Sequence, residues 1–248
     1  MTGTLVVTGG SRGIGAATAL IAAKQGWAVA VNYNASANAA ETLVLRIKEE
    51  GGRALAVKAD MAREADIVSL FETAERGLGP LGGLVNNAGV TGPMSRVDGV
   101  DGAMLAELMA INVVAPFLAA GEAVRRLSTA KGGKGGAIVN VSSAAARLGG
   151  PGEWVHYAAS KGAIDTFTIG LAKEVAAEGI RVNAVRPGLI ETEIHASAGD
   201  PNRLQRLAPL VPMRRAGTPE EVAETIVWLL SPASSYLTGA LIDVSGGR

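Results

Sequence analysis

Leu5-Val6-Val7-Thr8-Gly9-Gly10-Ser11-Arg12-Gly13-Ile14-Gly15 is the stretch that decides the fold of this chain. A short, continuously apolar run leads into a glycine-rich turn and then into a segment of helical period. Glycine permits a tight turn, and it lets backbone N–H groups and the N-terminus of the following helix approach a phosphate. A glycine-rich turn alone is weak evidence, but its position between a strand and a helix is the one that a dinucleotide pyrophosphate requires. The stretch therefore predicts the first βα unit of a nucleotide-binding fold.

Beyond this turn, short β-branched runs alternate with longer, Ala-rich segments of helical period. Strands are predicted at Leu5–Thr8, Ala28–Asn32, Leu55–Ala59, Leu84–Asn86, Ala137–Val141, Arg181–Val185 and Leu241–Val244. Helices are predicted at Ile14–Gln25, Ala37–Glu50, Ala65–Arg76, Ala103–Leu127, Tyr157–Ala177 and Pro219–Leu230. Runs such as Leu5-Val6-Val7 and Ala137-Ile138-Val139 are continuously apolar, which is typical of central strands covered on both faces. The pattern predicts an α/β fold, a single-domain, Rossmann-type, doubly wound parallel sheet over residues 1–248 with helices on both faces.

Length and composition limit the classes of protein to which the chain can belong. Of its 248 residues, 48% are hydrophobic and 19% are charged, and the formal net charge is zero. These values indicate neither a disordered chain nor a surface for a polyanion, so nucleic acid is not an expected partner. The absence of cysteine excludes disulfides and thiolate metal sites, and two histidines are too few for a His-rich metal site. No metal is expected.

Two further features bear on location. The N-terminal residues carry no basic leader region, and no apolar run approaches the roughly 20 residues that span a bilayer. The absence of cysteine is compatible with a reducing compartment. We expect a soluble, cytoplasmic protein that does not contact a membrane.

One long segment lacks a regular period. From Leu189 to Gly217, glycine, proline, polar and apolar residues are mixed, and Thr218-Pro219-Glu220-Glu221 then restarts a helix with a capping-box pattern. An irregular segment of this length is uncommon in a compact domain and usually forms a lid or a binding loop. Residues 189–217 are therefore predicted to cover a substrate site. The alternative is a surface loop that has no role in binding.

Tyr157 and Lys161 stand four residues apart in a segment of helical period. This spacing puts the phenol and the ammonium on one helix face. A phenol ordinarily loses its proton near pH 10, so a tyrosine that exchanges protons near neutrality needs a cation beside it. A charge about 4 Å away contributes roughly 4 kcal/mol at an effective dielectric of about 20, enough to lower the pKa of a phenol by about 3. The pair is a candidate proton donor with its activating cation, although Tyr-x-x-x-Lys is also common on solvated helix faces.

Several motifs occur together in the order of one known family. They are Thr8-Gly9-x-x-x-Gly13-x-Gly15, Asp60, Asn86-Asn87-Ala88-Gly89, Asn112, Ser142-Ser143, Tyr157-x-x-x-Lys161, and Pro187-Gly188 with Thr192. In these motifs, which span nearly the whole chain, the sequence resembles the short-chain dehydrogenases/reductases, in the branch of the glucose dehydrogenases and the ketoacyl-carrier-protein reductases. The resemblance implies an enzyme that transfers a hydride between a nicotinamide cofactor and a small-molecule carbonyl or alcohol.

The resemblance assigns catalysis to four residues. It makes Tyr157 the general acid/base, which gives its proton to the carbonyl oxygen in reduction and takes it back in oxidation. Lys161 would lower the pKa of that phenol and hold the nicotinamide ribose. Ser143, which alignment on the preceding strand prefers over Ser142, would hydrogen-bond the substrate oxygen. Asn112 would kink its helix and support a water relay to Lys161.

The resemblance also implies the cofactor contacts. Asp60 would contact the adenine, Asn86 would brace a strand end, and Thr192 would bind the nicotinamide carboxamide; turn capping is the alternative for Asp60 and Asn86. The complete predicted set is Gly9, Ser11, Arg12, Gly13, Ile14, Gly15, Asn32, Asn34, Ser36, Asp60, Met61, Asn87, Ala88, Gly89, Tyr157, Lys161, Pro187, Gly188, Ile190 and Thr192.

The choice of dinucleotide depends on charge. An acid at the end of the second strand would accept the ribose hydroxyls of NAD and repel a 2′-phosphate. Here the stretch Val31-Asn32-Tyr33-Asn34-Ala35-Ser36 is uncharged. The guanidinium of Arg12 in the glycine turn could form paired hydrogen bonds with a phosphate. NADP(H) is therefore favoured. Because only Asn34 and Ser36 stand where NADP-dependent relatives often carry a second basic residue, some activity with NAD(H) is expected to remain.

Two alternative functions stay open. A 3-ketoacyl-carrier-protein reductase of fatty-acid synthesis meets an acidic carrier protein and tends to place basic residues around its entrance. Lys134 could contribute to such a surface, whereas Glu178 before Gly179 counts against it. The other alternative is a non-catalytic dinucleotide sensor, since fold does not imply function. Such proteins usually lose the tyrosine or the lysine of the pair, and this chain keeps both.

The substrate entrance is predicted from two segments, the irregular segment 189–217 and the residues after the serine strand. The predicted lining is Arg147, Leu148, Glu153, Trp154, His195, Pro201, Leu204, Leu207 and Met213. These residues do not identify a substrate.

Two predicted helices, Ala103–Leu127 and Tyr157–Ala177, carry apolar side chains on more than one face. One face can cover the sheet, and the remainder must be buried elsewhere. The runs Trp228-Leu229-Leu230 and Tyr236-Leu237-Thr238-Gly239 leave a second apolar surface. Two different two-fold interfaces, and hence a homotetramer of D2 symmetry as the resemblance implies, are expected.

Overall fold

Seven parallel strands form the centre of the fold in the computed structural model, which describes residues 3–192 and 202–248. The strands are β1 (Thr4–Val7), β2 (Ala28–Tyr33), β3 (Arg53–Lys58), β4 (Leu81–Asn86), β5 (Gly136–Val141), β6 (Ile180–Pro187) and β7 (Leu241–Val244). They form one sheet in the order β3-β2-β1-β4-β5-β6-β7. The chain reverses its direction of travel across the sheet between β1 and β4, where open α/β sheets bind ligands. All the predicted strands are confirmed, with shifts at their ends.

Nine α-helices are described in the same residues. They are α1 (Gly13–Lys24), α2 (Ala37–Glu49), α3 (Glu64–Leu78), α4 (Gly102–Met109), α5 (Ala115–Leu127), α6 (Ala145–Leu148), α7 (Val155–Val175), α8 (Arg203–Leu207) and α9 (Pro219–Leu230). Helices α1, α2 and α9 share one core cluster with the sheet, and α3, α5 and α7 share the other. The sheet is therefore doubly wound, as predicted.

The central strands are buried on both faces. Every residue of β1 is buried. Leu5 and Val7 belong to the core cluster of α1, α2 and α9, whereas Val6 between them belongs to the opposite cluster. Successive side chains of a strand point to opposite faces. A strand covered by helices on both faces therefore has to be continuously apolar.

The predicted helix Ala103–Leu127 is interrupted. Between α4 and α5, Ala110–Val114 form a π-helical turn that contains the buried Asn112. The side-chain amide of Asn112 satisfies both backbone groups of Val90: Nδ2 donates to the carbonyl oxygen and Oδ1 accepts from the N–H, each at 2.8 Å. The helical period could not reveal this insertion, because the partner lies far away in the chain.

The stretch Gly102–Leu127, taken as one run, is 26 residues long, and an 18-residue window within it has a mean hydropathy of 1.8. Among the described residues it is long and apolar enough to cross a bilayer, so the expectation that no apolar run approaches that length was wrong. The π-helical turn divides the stretch, and α5 packs against β4 and α3. Core helices of soluble proteins have the same length and composition. These two properties alone therefore do not assign the stretch to a membrane.

Candidate active site

A cavity of about 1280 Å³ lies at the carboxyl edge of the sheet. The loops that follow β1 to β6 contribute to its lining, together with α7 and α8. Nearly all predicted cofactor residues line it: Gly9, Ser11, Arg12, Gly13, Ile14, Asn32, Asn34, Ser36, Asp60, Met61, Asn87, Ala88, Gly89, Tyr157, Lys161, Pro187, Gly188, Ile190 and Thr192. The topology thus brings residues from most of the chain to one place.

Gly15 is the exception among the predicted cofactor residues, because it does not line the cavity. A Cβ atom at this position would lie 2.5 Å from the carbonyl oxygen of Gly9 and 2.6 Å from Asn87 Nδ2. Gly15 is therefore required for close packing beneath the turn.

The glycine turn forms a cradle of backbone atoms. Gly9 and Gly13 have φ angles of 58° and 52°, in the left-handed region that favours glycine. A Cβ at Gly9 would lie 2.9 Å from the Cα of Ala88. Helix α1 has no side-chain cap from its N-cap residue Arg12 and no acid in its first turn. Backbone N–H groups at such a helix start suit a phosphate, so the residues fit a dinucleotide pyrophosphate.

Side-chain amides hold this turn against neighbouring strands. Asn87 Nδ2 donates to the carbonyl oxygens of Thr8 and Gly9 at 2.9 and 3.0 Å. Asn32 Oδ1 accepts from the N–H of Gly9 at 3.0 Å, and Asn32 Nδ2 donates to the Ala59 carbonyl oxygen at 3.0 Å. Both asparagines line the cavity and also brace its floor.

Asp60 makes the turn-capping contact of the alternative, whereas Asn86 makes the strand-end contact that the resemblance implied. Asp60 Oδ1 accepts from the N–H of Ala62 at 2.9 Å, which caps the turn after β3. Asn86 Nδ2 donates to Asn140 Oδ1 at 2.9 Å and so joins the ends of β4 and β5. Asp60 still lines the cavity, and its role at the adenine stays a prediction.

Helix α7 places Tyr157 and Lys161 on one face, as their spacing predicted. Lys161 Nζ lies 5.7 Å from the centre of the Tyr157 ring and donates to the carbonyl oxygen of Val141 at 2.8 Å. The side chains of Ser143 and Tyr157 line the same cavity, close enough for the Ser143 hydroxyl to lower the pKa of Tyr157. The structure thus brings together three of the four predicted catalytic residues. Asn112 does not line the cavity, but its Nδ2 also donates to the Ser160 hydroxyl, at 3.0 Å.

The two adjacent serines have different partners. Both line the cavity, but the buried Ser142 hydroxyl donates to Asp165 Oδ1 at 2.6 Å. The Ser143 oxygen accepts from the N–H of Ala145 at 3.1 Å and faces Tyr157. This geometry favours Ser143 as the serine that contacts a substrate oxygen.

The protonation of the pair differs from the expectation. Burial raises the pKa of the Tyr157 phenol, while the hydrogen bond from Ser143 lowers it. Burial also lowers the pKa of Lys161 to about 8, against the opposing effect of Asp165. The net pKa of Tyr157 is thus raised in this structure, and the lowering effect of Lys161 on it stays a prediction. The ammonium is directed at the Val141 carbonyl oxygen, and desolvation of the phenol is the larger effect.

Sequence reasoning missed one buried charge next to this pair. Asp165 follows Lys161 by one helical turn on α7, and its Oδ2 accepts from Arg186 Nη2 at 2.8 Å and from Nε at 2.9 Å. Its other oxygen accepts from the Ser142 hydroxyl. The four-residue spacing between Lys161 and Asp165 was the available signal.

The predicted substrate lining is confirmed only in part. Leu148, Glu153, Trp154 and Leu207 line the cavity, whereas Arg147, Leu204 and Met213 do not. Their contacts explain the difference. Arg147 pairs with Asp243 at 3.2 Å, Leu204 packs against the small core beneath α8, and the Met213 side chain is largely exposed. His195 and Pro201 lie outside the described residues.

The segment 189–217 is anchored at its base. Ile190 and Gly217 form an isolated parallel bridge, and α8 lies between them along the chain. Leu189, Leu207, Val211 and Ala216 form a small core cluster. The described part of the segment therefore has a folded base next to the cavity, and its role as a substrate cover stays a prediction.

The fold and the site define a dinucleotide-binding oxidoreductase, and comparison with known proteins supplies the family. A family model described as enoyl-(acyl carrier protein) reductase matches residues 9–248. The solved relatives include a short-chain dehydrogenase/reductase of Serratia marcescens, which is 36% identical and is covered to 97% by this chain. The chain belongs to the short-chain dehydrogenase/reductase family, as its motifs predicted.

Three relatives are similar over nearly their whole length. The oxidoreductase YgfF of Escherichia coli K12 is 51% identical over 98% of both chains. Glucose 1-dehydrogenase 2 of Bacillus subtilis is 37% identical over 98% of this chain and 93% of its own. A 3-oxoacyl-[acyl-carrier-protein] reductase of Synechocystis is 39% identical over 98% of this chain and 95% of its own. Both branches named by the resemblance are therefore represented.

Solved structures confirm the fold. A dehydrogenase/reductase from Sinorhizobium meliloti has a TM-score of 0.92 and 35% identity, with 100% of this chain and 95% of that chain covered. A blue fluorescent protein from a metagenomic library, solved in complex with NADPH, has a TM-score of 0.88 and 35% identity, with 99% and 97% covered.

Proposed function

We propose that the protein is an NADP(H)-preferring enzyme that transfers a hydride between the nicotinamide and a small-molecule carbonyl or alcohol, with Tyr157 as the acid/base. The observation that carries this proposal is that the Ser143 and Tyr157 hydroxyl groups lie close together in the cavity that the glycine cradle also lines. Two hydroxyl groups from different elements thereby meet where one oxygen atom could contact both.

In this proposal, Ser143 and Tyr157 bind the carbonyl oxygen together. Tyr157 transfers its proton to that oxygen during reduction, and Ser143 stabilises the charge that develops there. The cofactor supplies the hydride when it is bound. Because burial keeps Tyr157 protonated near neutral pH, the phenol is available as the acid in the reductive direction.

Lys161 provides electrostatic stabilisation in this proposal. When Tyr157 gives up its proton, the phenolate gains a negative charge in a buried site, and the ammonium stabilises that charge. The Val141 carbonyl oxygen holds the ammonium in place, and the Asp165 carboxylate opposes its loss of charge. Asn112, bonded to Val90 and Ser160, is proposed to support this helix junction and the relay to Lys161.

The preference for NADP(H) rests on charge around the end of β2. Asn34 and Ser36 line the cavity there without a carboxylate, and Arg12 lies on the other side of the turn. A guanidinium can form paired hydrogen bonds with a 2′-phosphate. The NADPH complex of the metagenomic relative supports the same choice. Some use of NAD(H) is proposed to remain, since no second basic residue adjoins the strand.

Oxidation of NADPH, followed by absorbance with a panel of ketones, aldoses and acyl thioesters, tests the function. We expect turnover with at least one carbonyl class and loss of that turnover in Tyr157→Phe. Binding of NADPH without turnover of any compound in the panel would instead favour the non-catalytic dinucleotide sensor.

A 3-ketoacyl-carrier-protein reductase is the second candidate, and the Synechocystis relative favours it. Against it, Glu178 stands at the end of the helix that carries Tyr157, where an acidic carrier protein would approach a basic surface, and it accepts a hydrogen bond from Ser128. The test is the thioester arm of the panel, with the acyl group presented on a carrier protein and on a small thiol. A strong preference for the carrier-bound form would assign this function.

The proposed enzyme is a cytoplasmic homotetramer. Apolar side chains remain exposed on the helices expected to form the first interface, with Val114 and Phe117 each about half exposed. Trp228 and Tyr236 are exposed on the second predicted surface. Burying both surfaces takes two different two-fold contacts, which together give D2 symmetry. The cysteine-free composition suits a reducing compartment, and fractionation of cells that express the protein tests the location.

A further inference from the structure

One wall of the cavity is built from α8 and the loop before α7. Arg203 of α8 lies across this wall: its guanidinium carbon is 4.3 Å from the centre of the Trp154 ring, and its Nη2 is 2.6 Å from Glu153 Oε2. All three residues line the same cavity as Tyr157 and Ser143. The wall is therefore part of the space that a substrate would occupy.

Two hydrogen-bond donors in this wall have no partner among the residues that the structure describes. Arg203 Nη1 and Trp154 Nε1 are buried and unsatisfied, and both residues are more than nine-tenths buried. Most buried polar groups in proteins are paired, and an unpaired one is destabilising. Because the indole and the guanidinium are stacked, the unpaired donors belong to adjacent groups. Their arrangement suits a ligand that carries only acceptors.

The charges of the wall indicate the sign of that ligand. Glu153 is shared by two arginines, since Arg206 Nη2 lies 3.7 Å from its other oxygen. The guanidinium groups of Arg203 and Arg206 both contact this carboxylate, so the wall is rich in cationic donors. A carboxylate carries acceptor oxygens only and matches a guanidinium edge, and its two oxygens match the two unsatisfied donors.

We propose that this wall binds a carboxylate of the substrate, with Arg203 Nη1 and Trp154 Nε1 as donors, so that the preferred substrates are oxo acids or the corresponding hydroxy acids. This inference rests on the proposed hydride transfer, whose reacting carbonyl sits at Ser143 and Tyr157. Both donors are covered in this structure, so the proposal includes a rotation of the guanidinium that opens Nη1 and Trp154 Nε1 to the cavity. Arg203 and Trp154 then determine specificity and take no part in the chemical step.

The test compares oxo acids of several chain lengths with their methyl esters and with ketones that carry a phosphate monoester. The variant is Arg203→Met, which keeps the aliphatic stem and removes the donors. Gln205→Met is the matched control, because it places the same side chain at an exposed position of α8. Trp154→Phe removes the single indole donor and keeps an aromatic ring.

We expect the parent enzyme to favour an oxo acid over its ester by about tenfold or more in kcat/KM. Arg203→Met should lower kcat/KM for the acid by about tenfold or more, mainly through KM, and change the ester by less than about threefold. Trp154→Phe should lower kcat/KM for the oxo acid by about threefold, and Gln205→Met should have the same kcat/KM as the parent for both acid and ester. If Arg203→Met does not fold, as judged by thermal unfolding, Arg203→Lys takes its place, since it keeps the charge and loses the paired donors.

Equal use of acid and ester by the parent, an equal loss for both in a folded Arg203 variant, or a preference for the phosphate monoester would overturn the proposal. If no carbonyl compound is turned over, the proposed function fails and the wall is tested by binding. A thermal shift of the protein with NADPH, produced by the oxo acid but not by its ester and absent in the Arg203 variant, would sustain the carboxylate site. No such shift would overturn it.

Discussion

The ammonium of Lys161 donates a hydrogen bond to the backbone carbonyl oxygen of Val141, with 2.8 Å between the two atoms. This bond ties α7 to the end of β5, one residue before Ser142 and two before Ser143. The proposed acid/base Tyr157 and oxygen-binding Ser143 come from α7 and from the end of β5, so their positions relative to each other depend on the same junction. Lys161 therefore helps to position Tyr157 and Ser143, and it also supplies a positive charge to the site.

Tyr157→Phe should abolish hydride transfer and leave the fold and NADPH binding nearly intact, because only the exchangeable hydroxyl is lost. The loss of the hydroxyl next to Ser143 should be visible only in the chemical step. Activity is measured by NADPH oxidation and binding by fluorescence titration. Turnover within about tenfold of the parent would overturn the role of Tyr157.

The two serines should differ in what their removal affects. Ser143→Ala should raise the barrier by about 2–4 kcal/mol, as the loss of one oxyanion-type donor does. Ser142→Ala should leave kcat mildly changed and instead lower thermal stability, because its hydroxyl is buried against Asp165. Single-turnover rates and unfolding midpoints of both variants measure the difference. The reverse order of effects on the rate would mean that Ser142 binds the substrate.

Asp165→Asn should change the pH dependence of activity. Lys161, with its pKa lowered to about 8, carries its charge below that pH, so activity that needs the ammonium should fall as the pH rises through it. Removing the Asp165 carboxylate removes an effect that raises this pKa, and the alkaline fall should move to lower pH. The measurement is kcat/KM against pH for the parent, Asp165→Asn and Ser142→Ala, the last of which keeps the carboxylate. An unmoved alkaline fall in a folded Asn variant would contradict the prediction.

Arg12→Ala should weaken NADPH binding much more than NADH binding. Arg12 is the N-cap residue of α1 and lines the cavity, so its guanidinium is within the region where a 2′-phosphate is expected. A charge-assisted hydrogen bond contributes about 1.5–3 kcal/mol, which is roughly 10- to 100-fold in Kd. Titration of each dinucleotide checks the selectivity. Equal losses for both would show that Arg12 does not read the phosphate.

Phe117→Arg should disrupt the assembly. Phe117 is stacked on Phe167 of α7, with ring centres 3.7 Å apart, and 49% of it is exposed. A charge on this face would be buried in the proposed interface without a partner. Light scattering should report a tetramer for the parent and smaller, less active species for the variant. Leu45→Arg, at an exposed position of α2, is the control; a fully active parent monomer at micromolar concentration would rule the tetramer out.

The sequence alone determined the order of strands and helices, the glycine turn and the shared face of Tyr157 and Lys161. These features depend on local rules: a strand covered by helices on both faces must be continuously apolar, a tight turn next to a phosphate needs glycine, and residues four apart share a helix face. Joint occurrence of the motifs then identified the family. The same four-residue spacing rule could have identified Asp165 as a neighbour of Lys161.

The tertiary structure alone decided how these residues interact. Asn112 in the π-helical turn is held by hydrogen bonds to Val90, which is distant in the chain. Arg147 lies outside the cavity, where it forms an ion pair with Asp243. The raised pKa of Tyr157 depends on burial, which no local pattern measures. The unpaired donors of Trp154 and Arg203 arise only because α8 packs against the loop before α7. Desolvation and hydrogen-bond pairing are properties of neighbours in space, and these neighbours are distant along the chain.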